Sequence, residues 1–304
     1  MSAHHINSSR CHVLFDASLP PVLTVDSGAI VTFQTLDACW GEVRSIEEFH
    51  RYRNRNRRGS NPITGPVFIR GAGAGGTLRV EVMSIKLDAV GFQLIGPNRA
   101  LIRDEVPEWK CHQVHIEGHQ MRLDNGLALP IDPVIGELGN APIDAVTNKP
   151  NACGGNLDCP FIRTGAIVYL PVQIEGAMFS VGDVHARQGD GEIVGAPEIG
   201  ALITLRLSYF PEKSIDSPVV EDAQNWHVIG WGDHETEAIR RAVFAAAEFV
   251  QRTYGLALDD AMILLTMIAK IHCCRTGPWG DQGSVIAVSM PKSLLPAKVS
   301  EPSC

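Results

Sequence analysis

The chain has 304 residues, 45% of them hydrophobic and 20% charged, with a formal net charge of -8. These are globular values, with enough chain for one large domain or two ordinary ones, and they exclude disorder as the main state. The acidic balance excludes a global field that would attract nucleic acid or an anionic membrane, and no apolar run reaches the roughly 18 residues of a transmembrane helix. Neither nucleic acid nor membrane is therefore expected as a partner.

Eight cysteines (Cys11, Cys39, Cys111, Cys153, Cys159, Cys273, Cys274 and Cys304) are too dilute for a disulfide scaffold and contain no C-x-x-C pair. Reduced thiols with packing roles are expected, together with a cytoplasmic location, since residues 1–14 hold no apolar stretch of signal-peptide length.

The first two thirds of the chain read as β. Residues 29–36 alternate as a half-buried strand does, and residues 77–85 place Leu78, Val80 and Val82 on one face. Further strands are expected at residues 67–70, 113–116, 166–170 and 201–209. Five arginines between Arg51 and Arg58 suggest a solvated loop or a subunit contact, with few aromatics to stack bases. The last third turns helical. Residues 233–254 carry Ile239, Val243, Ala246 and Val250 at helical spacing, with Asp233 or Thr236 as candidate caps and Gly255 at the C-terminal cap. A second helix is expected from Asp259 to about His272, and a strand at residues 285–289. Short strands broken by Gly and Pro predict a mainly β fold, a sandwich or barrel, with an α+β C-terminal part. The expected division is a β-rich domain over residues 1–130 and a β/α+β domain over 131–304, with one intertwined unit as the alternative.

The densest polar segment is residues 153–158 and, after an apolar strand, residues 179–192; it holds Asp158, Asp183, His185, Asp190 and Glu192. Asp183 and His185 are two apart, so on a strand a carboxylate and an imidazole would converge, the start of a mixed N/O metal site. Gly-Asp and Asp-Gly pairs also make ordinary turns. The site reading gains from the apolar strand beside these residues, because ionised groups flanking a buried strand are costly unless paired or ligated. Other patterns fail. His115 and His119 superficially match the zincin motif, but their Glu117 is in the wrong place and Gly118 with β-like flanks argues against a helix; the glycines of residues 71–76 precede a strand rather than a helix. No phosphate loop or nucleophile elbow is present. His227 and His234, near Trp226 and Trp231, read as packing or capping residues before pocket residues, and Tyr169 and Phe179 as core.

Gly154-Gly-Asn-Leu-Asp158, then Leu170-Pro-Val172, then the run from Gly176 to Glu192 follow the pattern GGN-x-D, LPV, GA-x-FS-x-GD-x-HA-x-QGDGE. This resembles the acetamidase/formamidase family. Lesser resemblances at residues 25–28, 36–38, 64–72, 130–136, 259–270 and 290–292 extend the likeness over about residues 20–295. The resemblance implies a β-rich fold, homo-oligomers of two or more subunits, metal ions at the site, and hydrolysis of a short amide to carboxylate and ammonia. Carried over, Asp158, Asp183 and His185 are expected to ligate a divalent ion, zinc before calcium, with Asp37 as a further contact. Glu192 is expected to shuttle the proton of a metal-activated water. Asn156, Gly154 and Gly155 would stabilise the oxyanion and hold the small-molecule amide. Glu198 falls one position early for the family's next glutamate. The alternative is a binding or interaction protein on the same fold, with a structural metal and no amidase activity.

Overall fold

The computed structural model describes residues 4–55, 58–97, 105–212, 215–277 and 282–297. Arg57 of the arginine run and Cys304 lie outside them. Among the described residues the strands form three sheets. The largest orders nine strands as His4–Ile6, Ala29–Thr35, Ala201–Phe210, Thr77–Leu87, Ile167–Pro171, Val219–Glu221, Asn225–Gly232, Ser284–Pro291 and Lys270–Arg275. A second sheet orders Gly154–Asn156, Val134–Gly139, Phe179–His185, Ile63–Ile69 and Cys11–His12, with Leu23–Val25 paired to Ile63–Ile69. A four-stranded meander runs Ala128–Pro130, Gln120–Leu123, Lys110–Glu117, Val90–Ile95. The expected mainly β class, with helices toward the C-terminus, is what the chain adopts.

The two larger sheets face each other across one apolar core. Val31 and Phe33, Leu78, Val80 and Val82, and Ile203, Leu205 and Leu207 are buried from the first; Ile135, Leu138, Phe179 and Val181 are buried from the second. Phe33 meets Phe179 edge-on at 5.9 Å between centroids, so the alternation read from the sequence is the alternation of a sandwich. Tyr169 donates its hydroxyl to Glu221, and Phe179 is core, as expected.

The opposite face of the nine-stranded sheet carries the helix Glu235–Tyr254. Its buried stripe is Ala238, Ala242, Ala246 and Val250, spaced at i+4. Ala246 and Val250 are buried as expected, but in the first half of the helix Ala238 and Ala242 face the sheet and Ile239 and Val243 are only half-buried. The reason is close packing: a Cβ built on Gly230 would lie 2.3 Å from the Ala242 nitrogen and 2.6 Å from the Ala238 oxygen. Small residues on the helix and none on the strand let the two backbones touch. Gly255 caps the helix in the left-handed region, φ 70°. Neither Asp233 nor Thr236 is the N-cap; His234 holds that position, and Glu237 reaches back to the Asp233 N–H at 3.1 Å.

Two expectations change. The second helix is Leu258–Ile268, and residues 270–275 are a strand, not its last turn. Edge pairing with Ser284–Pro291 overrides the helical pattern and buries Cys274 and Arg275. The arginine-rich segment is a helix over Ile46–Arg55, not a loop, because Phe49 and Tyr52 one turn apart bury against Phe92 and Leu94. No described helix is long and apolar enough to cross a membrane.

Gly230→Val should push the long helix off its strand, costing about 2–3 kcal/mol and lowering the urea midpoint of unfolding.

Candidate active site

Three chain segments converge on one buried point. Asp158 follows the strand Gly154–Asn156, and Asp183 and His185 lie on Phe179–His185. Their ligand atoms all lie within 4.8 Å of one another, and all three residues are buried. His185 Nε2 stands 3.7 Å from Asp183 Oδ1, 4.0 Å from Asp158 Oδ1 and 3.8 Å from Glu198 Oε1. The Glu198 backbone is tied to the meander: its N–H donates to the Phe92 carbonyl at 2.8 Å and its carbonyl accepts from Phe92 at 2.9 Å. The early position of Glu198 therefore does not remove it from the cluster.

Glu192 reaches the same cavity from a loop pinned by Thr276, whose N–H and hydroxyl both donate to the Gly191 carbonyl at 3.1 Å. The local backbone is unusual. Asp158, Asp183, Glu192 and Asn61 all hold positive φ, between 42° and 57°. Non-glycine residues there cost about 1–3 kcal/mol each and cluster where function demands a particular side-chain direction. Beneath the carboxylates Gly136 leaves room that a Cβ would fill, at 2.6 Å from Asp158 Oδ1 and 2.9 Å from Asp183 Oδ2.

The supporting hydrogen bonds fix each group. Arg275, buried, donates to Asp158 Oδ2 at 2.6 Å and to the Asn156 carbonyl at 2.9 Å. Asn61 donates its amide to Asp183 Oδ2 at 2.9 Å. Gln188 donates its amide nitrogen to the carbonyls of Asp158 and Cys274, so its oxygen must accept from His185 Nδ1 at 2.9 Å. That places the proton on Nδ1 and turns Nε2 toward the carboxylates, the usual arrangement of a metal-binding histidine. Asn156 satisfies all its partners with its amide nitrogen 3.2 Å from Asp183 Oδ2 and 3.0 Å from Asp158 Oδ1, and its oxygen on Arg275.

Charge decides what the cluster can do. Burial, and then Asp183 and Asp158, push Glu137 well above the usual carboxylate range; both its oxygens are buried without a hydrogen-bond partner. Burial raises Glu192, with Asp158 adding to it, and raises Glu198, with Asp183 adding to it. Asp158 is raised by burial against the pull of Arg275. Burial opposes charging of His185, but Glu198, Asp183 and Glu192 outweigh it and hold the imidazole above its ordinary value. Buried carboxyl groups thus outnumber nearby cations, and Asp183 Oδ1 and Glu198 Oε2 have no hydrogen-bond partner. A divalent cation would resolve both facts. One imidazole nitrogen with carboxylate oxygens fits a zinc-type ion better than calcium, which rarely takes imidazole. The residues present therefore fit a metal ion held by Asp158, Asp183 and His185.

Other expected residues have different work. Asp37 stands outside the cluster: its Oδ1 accepts from the N–H groups of Cys39 and Gly41, and its Oδ2 pairs with Arg44 at 2.7 Å. It organises the loop before the helix Ile46–Arg55. The N–H groups of Gly154 and Asn156 already donate to the Asn151 and Asn148 carbonyls, so they offer no oxyanion hole. Gly154 and Gly155, at φ 114° and 105°, are needed because a Cβ would lie 2.3 Å from the Leu138 oxygen and 2.4 Å from the Lys149 oxygen. His227 bridges Ser289 at 2.6 Å and Asp222 at 2.9 Å and stacks on Phe161; neither it nor Ser289 lines the cavity above the acidic cluster. His115 lies on the strand Lys110–Glu117, and His234 stands at the N-cap position of a helix without a side-chain cap hydrogen bond.

Arg275, Asn61, Gln188, Glu198 and Glu137 were not assigned roles from the sequence. Glu137 carried a usable signal, a lone ionisable residue inside the apolar run Val134-Ile-Gly-Glu-Leu-Gly139.

Sandwich and site together resemble one class of proteins, the acetamidases and formamidases. The Acetamidase/Formamidase family profile matches residues 143–273, the segment that supplies Asp158, Asp183, His185 and Glu192. An acetamidase of Mycolicibacterium smegmatis is 38% identical over 92 residues, 27% of this chain and 23% of that protein. The chain spans less than two thirds of the length of the curated relatives it matches first. Among solved structures, an acetamidase from Yersinia enterocolitica superposes with TM-score 0.90 at 27% identity, covering 97% of this chain and 94% of that one. A protein described as a predicted acetamidase/formamidase, from Thermoanaerobacter tengcongensis, gives TM-score 0.89 at 26% identity over 96% and 97%. The acetamidase/formamidase resemblance read from the sequence holds, in segment and in fold.

Gly136→Ala should displace both carboxylates and weaken divalent-ion binding at least tenfold by calorimetry, with the circular dichroism spectrum retained.

Proposed function

We propose that this protein hydrolyses the C–N bond of an amide to a carboxylate and ammonia, with a divalent ion, zinc by its donor set, held by Asp158, Asp183 and His185. One observation carries the reading: Glu192, a carboxyl group raised above its usual range, lines the same cavity as Asp158 and Asp183. The family match over the segment that supplies these residues supports it. When bound, the ion supplies Lewis-acid polarisation of the amide carbonyl and brings the pKa of a water toward neutrality.

The chain's own residues do the rest. Glu192, as carboxylate, takes a proton from the water whose oxygen adds to the carbonyl carbon. Holding that proton, it then delivers it to the amide nitrogen as the C–N bond breaks. A raised pKa suits both halves, because the group must accept a proton readily and still give it up. The amide nitrogen is a poor leaving group, so the second transfer is required. Arg275 and Asn156 hold Asp158, Asn61 holds Asp183, and Gln188 sets the His185 tautomer. Asn156 is thus a positioning residue whose amide faces the carboxylates.

Ammonia release from a series of amides, with and without a chelator, tests the reading. Chelator-sensitive release is expected; release that a chelator leaves intact removes the metal, and no release from any amide removes the hydrolysis. Glu192→Gln should keep fold and bound ion and lower kcat by about 10²–10⁴-fold; full turnover in that variant would strip Glu192 of its role.

A further inference from the structure

We infer that the amide taken by this site carries a large apolar acyl group of aryl or arylalkyl type, not an acetyl or formyl group. The inference rests on the hydrolytic reading for the reaction but on separate residues for the acyl group.

The cavity above Asp158, Asp183 and Glu192 has a volume of about 610 Å³. A four-heavy-atom amide fills the space of two or three waters, roughly 30 Å³ each, so it would leave most of this cavity to solvent. Volumes of about 300–1,000 Å³ belong to sites that enclose much larger ligands. A reacting amide left in open water would lose the low dielectric on which the buried charges depend.

The lining is divided. Asp158, Asp183, Glu192, Glu198 and Arg275 line one part of the cavity. The adjoining wall is a satellite apolar core, in which Phe49, Tyr52, Phe92 and Leu94 are buried and Trp109 packs against them, with Arg53 the charged residue on that wall. The division is built into the backbone, because Phe92 pairs directly with Glu198 in both hydrogen-bonding directions. The apolar wall therefore begins where the acidic cluster ends, which is what a substrate with a polar head and an apolar body needs. Phe49 and Trp109 lie 4.8 Å apart at an interplanar angle of 50°, and the Arg53 guanidinium sits over both rings at 5.6 and 5.2 Å. The cation holds the aromatic wall in place, and ring faces favour an aromatic guest over a flexible alkyl chain. The helix Ile46–Arg55 that supplies Phe49, Tyr52 and Arg53 is thereby given a role in specificity.

The test compares phenylacetamide with acetamide and formamide. In wild-type protein kcat/KM for phenylacetamide should exceed that for either small amide at least tenfold. In Trp109→Ala the ratio should fall at least fivefold, with the change in KM. Calorimetry on Glu192→Gln, which separates binding from turnover, should show phenylacetamide binding more tightly than acetamide. Acetamide or formamide turned over as well as phenylacetamide overturns the inference and leaves the hydrolysis standing. Selective binding of phenylacetamide without ammonia from any amide upholds the acyl pocket and removes the hydrolysis. Equal or undetectable binding of both amides overturns the inference whatever the turnover.

Discussion

An excess of buried negative charge governs this molecule. Buried Asp158, Asp183 and Glu137 and half-buried Glu192 and Glu198 share one region with, among the described residues, one guanidinium, Arg275, and one imidazole, His185. Such a set can be folded in only two ways, by protonating carboxyl groups or by admitting a cation. Both leave their mark. The glutamates are raised well above their ordinary range, and the aspartates keep an oxygen, Asp183 Oδ1, without a hydrogen-bond partner. The left-handed backbone at Asp158, Asp183 and Glu192 and the missing Cβ at Gly136 are the steric cost of aiming these groups inward.

The fold explains why that arrangement is tolerable. The charged groups are anchored by several elements: the central strand Phe179–His185 for Asp183 and His185, the turn after Gly154–Asn156 for Asp158, the edge strand Lys270–Arg275 for Arg275, and the bridge to the meander for Glu198. The strand Phe179–His185 belongs to the apolar sandwich, and the edge strand Lys270–Arg275 pairs with Ser284–Pro291, on which the long helix packs. A rigid frame is what keeps repelling groups at fixed separation, and fixed separation is what makes them useful for binding an ion or moving a proton. The same frame presents Phe92 next to Glu198, so polar chemistry and apolar recognition meet at one residue pair.

Local information in the sequence was enough for much of this. Asp183 and His185 converge because two residues on a strand share a face, and Asp158 and Glu192 fall within the same motif-bearing stretch. The strands Thr77–Leu87 and Ala201–Phe210 announce themselves by alternation. What local pattern misses is set by distance along the chain. Arg275 meets Asp158 across 117 positions and Asn61 meets Asp183 across 122, so neither pairing has a spacing to read. The segment after Ile268 has helical periodicity, yet an edge strand claims it. Asp37 lies in a stretch like the family's yet serves a loop through Arg44, and Gly154 and Gly155 permit close backbone approach while their neighbours face the cavity. The arginine run looked like solvated charge because its two inward residues, Phe49 and Tyr52, are few among many cations.

The central claim is that this acidic cluster is organised around a divalent cation. The most direct measurement is the melting temperature of chelator-treated protein as a function of added free zinc. A cation that binds only the folded cluster must raise the transition progressively with its concentration, by linkage. A melting temperature that stays the same from no zinc to saturating zinc would contradict the account and leave the carboxyl groups neutralised by protons alone.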